Sequence, residues 1–155
     1  MTSIDLDQAD RKIIDVLARE GRISNLELAD RIGLSPTPCS RRVKRLEDEG
    51  VITGYGARIN QTMIGQSVVA VVNVSLSQKT AKDTKEFLEI VTHSPEIIEC
   101  LRVTGDLDYV LRVQTKDVDT LRDFVIKKLR MIPAVNETWT MLVLDVDKAS
   151  VCASS

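Results

Sequence analysis

The stretch from Ser24 to Gly50 starts and stops two helices in quick succession, and it constrains this chain more than any other part. Ser24 and Glu27 have the spacing of a capping box, in which each side chain satisfies the other's free backbone donor. Leu28, Ala29 and Ile32 follow at helical spacing, and Gly33 supplies a stop. Ser35 is placed to cap the next helix, with Pro36 at its first position, where a missing N–H costs nothing. That helix is expected to run to about Glu49, where Gly50 closes it. Upstream, the pattern predicts a helix from about Asp7 to Glu20. Asp5 or Asp7 can cap it, Asp10 lies near its positive end, and Ile13, Ile14 and Leu17 form its apolar stripe before Gly21. Three capped helices with a short glycine-containing turn between the second and third make a helix-turn-helix.

The third helix separates by face. At about 100° per residue, Cys39, Val43 and Leu46 gather into one buried stripe. Thr37, Ser40, Arg41, Lys44 and Arg45 point the other way, and Arg42 falls on the flank. Hydroxyls near the start and cations further along suit a recognition helix. Residues near its N-terminus reach base edges, while Arg and Lys neutralise phosphates. Arg can also bridge O6 and N7 of guanine. Ser35, Arg22 and Ser24 could contact the DNA backbone, although Ser24 serves equally well as a cap alone. A basic face of this kind is ordinarily just a solvated one, and the capped helix and turn before it favour DNA. The net charge of −2 hides this local pattern, RRVKR from Arg41 to Arg45.

Composition narrows the rest. With 43% hydrophobic and 28% charged residues among 155, the chain is globular rather than disordered. Only 3% of residues are aromatic, so the cores must be aliphatic and no aromatic-rich strand offers a stacking platform for RNA. No apolar run reaches the roughly 18 residues of a membrane span, and the polar, acidic start is not a signal peptide. A cytoplasmic protein without membrane contact is expected. Cys39, Cys100 and Cys152 are too widely spaced for a zinc site or a disulfide framework. Cys39 and Cys100 read as small buried hydrophobes and Cys152 as an exposed tail residue. The single histidine, His93, sits at a helix end with no nucleophile or metal partner in its pattern, so no enzyme, metal or cofactor is indicated.

Beyond Gly50 the pattern changes. Residues 1–50 form the helix-turn-helix, 51–66 a wing or linker strand with Gly54 and Gly56, and 67–155 a second domain. Strands are expected over Ser67–Leu76, Ile97–Val103, Tyr109–Val113 and Trp139–Val146. Helices are expected over Thr80–Thr92 and Val118–Met131, the latter with Leu121, Val125 and Leu129 in one stripe. The order βαββαβ predicts an α+β chain: a winged helix-turn-helix followed by a ferredoxin-like sheet with both helices on one face. The final residues, from Lys148, read as frayed.

The string GLSPTPCSRRVKRLE within Gly21–Asn60 resembles the DNA-binding domain of the leucine-responsive regulatory protein/AsnC family. TGDLDYVLRV, Thr104 to Val113, is similar to an internal motif of that family's ligand-sensing domain, and the resemblance runs from about Leu6 to Val146. It implies a sequence-specific transcription regulator of double-stranded DNA. It also implies a homodimer that assembles into an octamer of four dimers, with the sheet as dimer interface and an amino-acid effector bound between dimers. Carried over, the effector site comprises Leu101, Thr104, Gly105, Asp106, Leu107 and Asp108, with Thr138 and Thr140, ahead of the last strand, coming from a neighbouring subunit. The chemistry is compatible. Asp106 or Asp108 can meet an ammonium, backbone N–H groups around Gly105 a carboxylate, and Leu101 or Leu107 can wall an apolar side chain. On spacing alone, a Gly-Asp sequence between strands is only a turn. Trp139, the single tryptophan, is a packing or interface residue, or a reporter of the cleft.

Two other readings share this frame. Tetrapyrrole-precursor decarboxylases resemble the family, but they lean on several histidines where this chain has one. The other is an effector-independent assembly or nucleoid-binding module; a pure assembly module, in which the helix-turn-helix mediates protein contact, differs in its salt dependence, since only DNA binding weakens steeply as counterions are released.

Overall fold

The computed structural model describes residues 4–78 and 80–147. The chain divides into two compact units, with the boundary between Arg58 and Ile59. Cys152 and the tail from Lys148 lie outside the described residues.

The first unit is three helices: α1 (Gln8–Arg19), α2 (Asn25–Ile32) and α3 (Pro36–Asp48). Their ends are where local chemistry puts them. Asp7 caps α1 and Ser24 caps α2, each in a complete capping box, with Asp10 and Glu27 reaching back. Gly33 ends α2 at φ +74°, a left-handed conformation that glycine adopts without strain. Ile13, Leu28, Ala29, Cys39 and Leu46 form the buried core, and Val43 packs beside it. No strand forms over residues 51–60, so the expected wing is irregular chain. Its beginning is put to another use. Val51 and Ile52 pack against the helical core, and the Ile52 N–H donates to Leu46 O. The Tyr55 hydroxyl donates to Glu47 Oε1 at 2.7 Å. Two apolar residues directly after Gly50 bury more surface against the helices than as an exposed hairpin edge.

The second unit is a four-stranded antiparallel sheet with strand order β2-β3-β1-β4. Its elements are β1 (Val68–Leu76), α4 (Ala81–Thr92), β2 (Ile97–Arg102), β3 (Tyr109–Thr115), α5 (Val118–Asp123) and β4 (Val135–Leu142). Strand β1 alternates half-buried and buried residues, the period-two signature of a sheet with one covered face. Ala70, Val72, Val74, Leu111 and Val113 meet Phe87 and Val91 of α4 and Leu121 of α5. Both helices therefore lie on one face, as a ferredoxin-like βαββαβ requires.

The sequence reading needs three corrections here. The last strand is Val135–Leu142 rather than Trp139–Val146; Leu144 is outside it and almost fully exposed. Thr138 and Thr140, expected ahead of the last strand, are thus inside β4 together with Trp139. The helix expected to reach Met131 also changes pitch. After Asp123 it widens over Phe124–Lys128, where the Leu129 N–H reaches Phe124 O, and then tightens through Leu129–Met131. Leu121, Phe124 and Leu129 are the buried residues, at spacings of three and five, and the wide turn puts Phe124 and Leu129 on the same side. Finally, Cys100 is only half-buried beside the core, whereas Cys39 is fully enclosed, and burial pushes both thiols up from their ordinary pKa.

Candidate nucleic-acid interface and effector turn

Helix α3 presents its candidate residues in two groups. Thr37, Ser40, Arg41 and Lys44 are exposed, and neither cation has an ion pair among the described residues. Ser35 caps α3 by backbone position only, so its hydroxyl is uncommitted. Arg42 and Arg45 differ. Arg42 Nη1 donates to Asp7 Oδ2 at 2.7 Å and to Asp10 Oδ1 at 2.9 Å, and Arg45 Nη2 donates to Asp10 Oδ2. The Asp10 N–H and then Arg42 hold the Asp7 carboxyl below its ordinary value, and Asp7 in turn pushes Arg42 up. The two arginines are therefore not free cations of the exposed face. Sequence reasoning placed Asp10 at the positive end of α1 and missed that it is buried, at 1% exposure, against α3. Its arginine partners lie 32 and 35 residues away, beyond any local pattern.

Around this helix, Arg22 is exposed after α1, and the Ser24 hydroxyl is engaged with Glu27 at 2.7 Å as a cap. Asn25 Nδ2 donates to Pro36 O at 2.9 Å and ties the starts of α2 and α3 together. Arg31 grips Glu20 through both guanidinium nitrogens, at 2.6 and 2.9 Å, which lowers the Glu20 pKa. The Asn25 link ties α3 to α2, and the Arg31 link ties α2 to the end of α1.

In the second unit, the turn after β2 is built on Asp108. Its N–H donates to Val74 O, its carbonyl accepts from the Val103 N–H, and its Oδ2 accepts from the Leu76 N–H at 2.9 Å. The carboxylate thus pins the turn to β1, whereas Asp106 is exposed. Gly105 sits at φ +111°, open to solvent on the Cβ side, and Thr104 is exposed while Leu107 is half-buried. Val74 pairs with Tyr109 on one side and Thr138 on the other, so Thr138 stands two strands from the end of the turn. Thr140 pairs with Val72 on the same face. Leu101 pairs with Val110, which pairs with Asn73, and so lies on the opposite, uncovered face. One chain therefore does not gather all these residues around a single cavity. Tyr109 was missed by sequence reasoning. It is buried and stacked on Phe87 with ring centroids 4.7 Å apart, and its hydroxyl has no partner among the described residues. Its place right after the turn is the only signal that could have marked it.

Residues 6–53 match the winged helix-turn-helix DNA-binding family. Residues 69–150 match the Lrp/AsnC ligand binding domain. The chain belongs to the Lrp/AsnC family. Leucine-responsive regulatory proteins of Escherichia coli K12 and Klebsiella pneumoniae are each 40% identical to it over 94% of this chain and 89% of theirs. A transcriptional regulator of Neisseria meningitidis, solved as an L-Met complex, superposes with a TM-score of 0.91 at 34% identity over 94% of both chains. Escherichia coli AsnC superposes at 0.87 with 26% identity, over 98% of this chain and all of its own. The protein is an Lrp/AsnC-type DNA-binding transcriptional regulator with a ligand-binding domain. This accounts for both faces described above: an exposed cationic helix in one unit and a sheet with a solvent-facing turn in the other. Among the described residues, no cluster of His, Cys, Asp or Glu could hold a metal ion, and no helix is long and apolar enough to cross a membrane.

Proposed function

We propose that this Lrp/AsnC regulator reads DNA with Thr37, Ser40, Arg41 and Lys44 of α3, and that an amino acid bound at the turn Thr104–Asp108 controls its assembly. The observation that carries the reading is the exposed face of α3, where Arg41 and Lys44 are cations with no ion pair among the described residues. Ser35, Arg22 and the outer edge of Arg45 add contacts to the phosphate backbone, which positions the helix without reading sequence.

The effector reading is supported by the exposed Asp106 and by the glycine turn, whose backbone can approach a carboxylate. The L-Met complex of the Neisseria regulator supports an amino acid as the class of ligand. Because Leu101 and Thr138 lie on opposite faces, the site is completed by Thr138 and Thr140 of a neighbouring subunit. The uncovered face of the sheet supports a homodimer: Leu101, Trp139 and Met141 are exposed there beside the half-buried Val69 and Val71. Four such dimers form the proposed octamer, and two recognition helices per dimer favour half-sites spaced by whole helical turns. The effector shifts assembly only by its differential affinity for the assembled states.

The test has two parts. Arg41→Ala should weaken binding to a duplex selected by the wild-type protein, and unchanged affinity would remove the recognition face. A thermal-shift screen against the twenty amino acids should find one or a few that raise the melting temperature, since a ligand that binds only the folded state stabilises it. Asp106→Ala should abolish that shift while basal DNA binding stays, and a normal shift would sink the ammonium contact.

A further inference from the structure

The recognition helix carries two kinds of arginine. Arg41 is free of ion pairs among the described residues, whereas Arg42 and Arg45, one turn apart, share a single carboxylate. That carboxylate, on Asp10, is 1% exposed. Burying a charge is costly unless it is fully paired. Asp10 is fully paired: Oδ1 accepts from Arg42, and Oδ2 accepts from Arg45 and from the Asp7 N–H at 3.2 Å. Packing alone would be served as well by an apolar residue of similar size. What the carboxylate adds is direction.

The two side chains it holds keep their outer edges in water, at 33% exposure for Arg42 and 43% for Arg45. A guanidinium has five donors in a rigid fork. Arg45 spends one nitrogen on Asp10 at hydrogen-bond distance and approaches Glu49 only at 4.0 Å. The pairing therefore orients Arg45 without consuming it. On the helical wheel Arg45 stands about 40° from Arg41, at the edge of the face offered to DNA. Arg42 lies further round, clamped between Asp10 and Asp7.

We infer that Asp10 is a positioning residue for DNA recognition: it holds Arg45, braced by Arg42, at a fixed angle on the flank of α3, so that the free guanidinium edge meets one backbone phosphate and sets how α3 enters the groove. This rests on the reading of α3 as the recognition helix. Phosphate contacts fix register while base contacts specify, so a loosened Arg45 costs discrimination rather than attraction. The same loosening releases positive charge that the acids now neutralise, and free cations bind any duplex.

The experiment compares two duplexes: one enriched from a random pool by the wild-type protein and a shuffled duplex of the same composition. Asp10→Asn keeps the volume and removes the charge. It should lower the ratio of selected to shuffled affinity several-fold. It should also steepen the salt dependence on the shuffled duplex by about one in log–log slope, as a released arginine adds a phosphate contact. A purely structural Asp10 would lower the melting temperature yet leave ratio and slope unchanged at temperatures where the variant is fully folded, and that result overturns the inference. If Asp10→Asn does not fold, Arg45→Gln is read instead. It leaves the Arg42 pair in place and should lower the same ratio; an unchanged ratio again overturns the inference. Arg41→Ala in the same assay separates the two levels. If it too binds normally, the recognition helix was misassigned; if it binds weakly while Asp10→Asn discriminates normally, only the role of Asp10 fails.

Discussion

The two units of this regulator are held together by different means. Among the described residues, five buried hydrophobics form the core of the helical unit and fourteen that of the sheet unit. The helical unit makes up the difference with polar links: two complete capping boxes, the Glu20–Arg31 pair and the arginine network on Asp10. The sheet unit relies on interleaved aliphatic side chains, and its ion pairs, such as Arg122–Asp119 and Lys127–Asp123, lie on exposed side chains rather than on a buried acid. A small domain buries a smaller fraction of its surface, so its margin is thinner and its polar geometry matters more. Helix α3, the proposed recognition helix, thus belongs to the unit more easily perturbed.

The contrast is sharpest under core truncation. Leu46→Ala and Leu111→Ala each delete a fully buried leucine, and such changes cost about 2–5 kcal/mol. In the helical unit that loss should exhaust the stability near 37 °C and abolish DNA binding. In the sheet unit it should lower the melting temperature without unfolding. Trp139, the single tryptophan, reports the sheet unit, and ellipticity at 222 nm weighs the helices. If Leu46→Ala moves the Trp139 transition as far as Leu111→Ala does, the units unfold as one block and the contrast is wrong.

Turn glycines come next in size. Gly105 and Gly33 both have positive φ, +111° and +74°, and neither has an atom within 4 Å of where a Cβ would stand. Alanine therefore meets strain rather than collision at both. Gly33 lies in the left-handed region, where a side chain costs about 1–2 kcal/mol. Gly105 lies outside it, where the cost rises to about 1–3 kcal/mol. Urea denaturation of both variants should rank them in that order, and a harmless Gly105→Ala would show that the turn relaxes freely.

Acid separates the units more gently. Ser24 lowers the pKa of Glu27, Arg31 that of Glu20 and the Asp10 N–H that of Asp7, all in the helical unit. In the sheet unit Thr120 lowers Asp117 and Lys127 lowers Asp123. A carboxylate whose folded pKa is depressed contributes stability above its unfolded value, 4.5 for Glu and 3.8 for Asp, and loses it as pH falls through the folded one. Between pH 5 and pH 3 the helical transition should therefore fall further than the Trp139 transition. Equal slopes would mean that the exposed pairs contribute little in solution.

The same division governs what could be read from the sequence. Helix ends in the first unit are set by residues within three positions of each other, so Ser24, Glu27, Gly33 and Pro36 were legible. The face of α3 followed from periodicity. The network on Asp10 was not legible, because its arginines come from a different helix. In the sheet unit β4 was placed four residues late. Polar Asn136 and Glu137 hide its start, and apolar Leu144 and Val146 imitate a continuation that the pairing with β1 does not provide. The tie from the Leu76 N–H to Asp108 was not legible either, because it comes from a strand 32 residues away. Local chemistry was visible; chemistry made by chain crossing was not.

The smallest expected effect compares two buried polar groups, one in each unit. Asp10 is fully partnered, whereas the Tyr109 hydroxyl, in a residue that is 2% exposed, has no partner among the described residues. An unsatisfied buried group costs free energy, and removing it without changing shape is neutral or stabilising. Tyr109→Phe keeps the ring on Phe87 and should be neutral or stabilise by up to about 1 kcal/mol in urea denaturation. Asp10→Asn, an equally conservative change, should destabilise, because it leaves the arginines without their anion. The opposite signs follow from satisfaction alone, since both groups are buried. If Tyr109→Phe destabilises instead, the hydroxyl is bonded in solution. If it is neutral in the free protein but weakens the thermal shift given by an amino acid found in the screen, the hydroxyl is kept unpaired at the edge of the turn for the proposed ligand to fill.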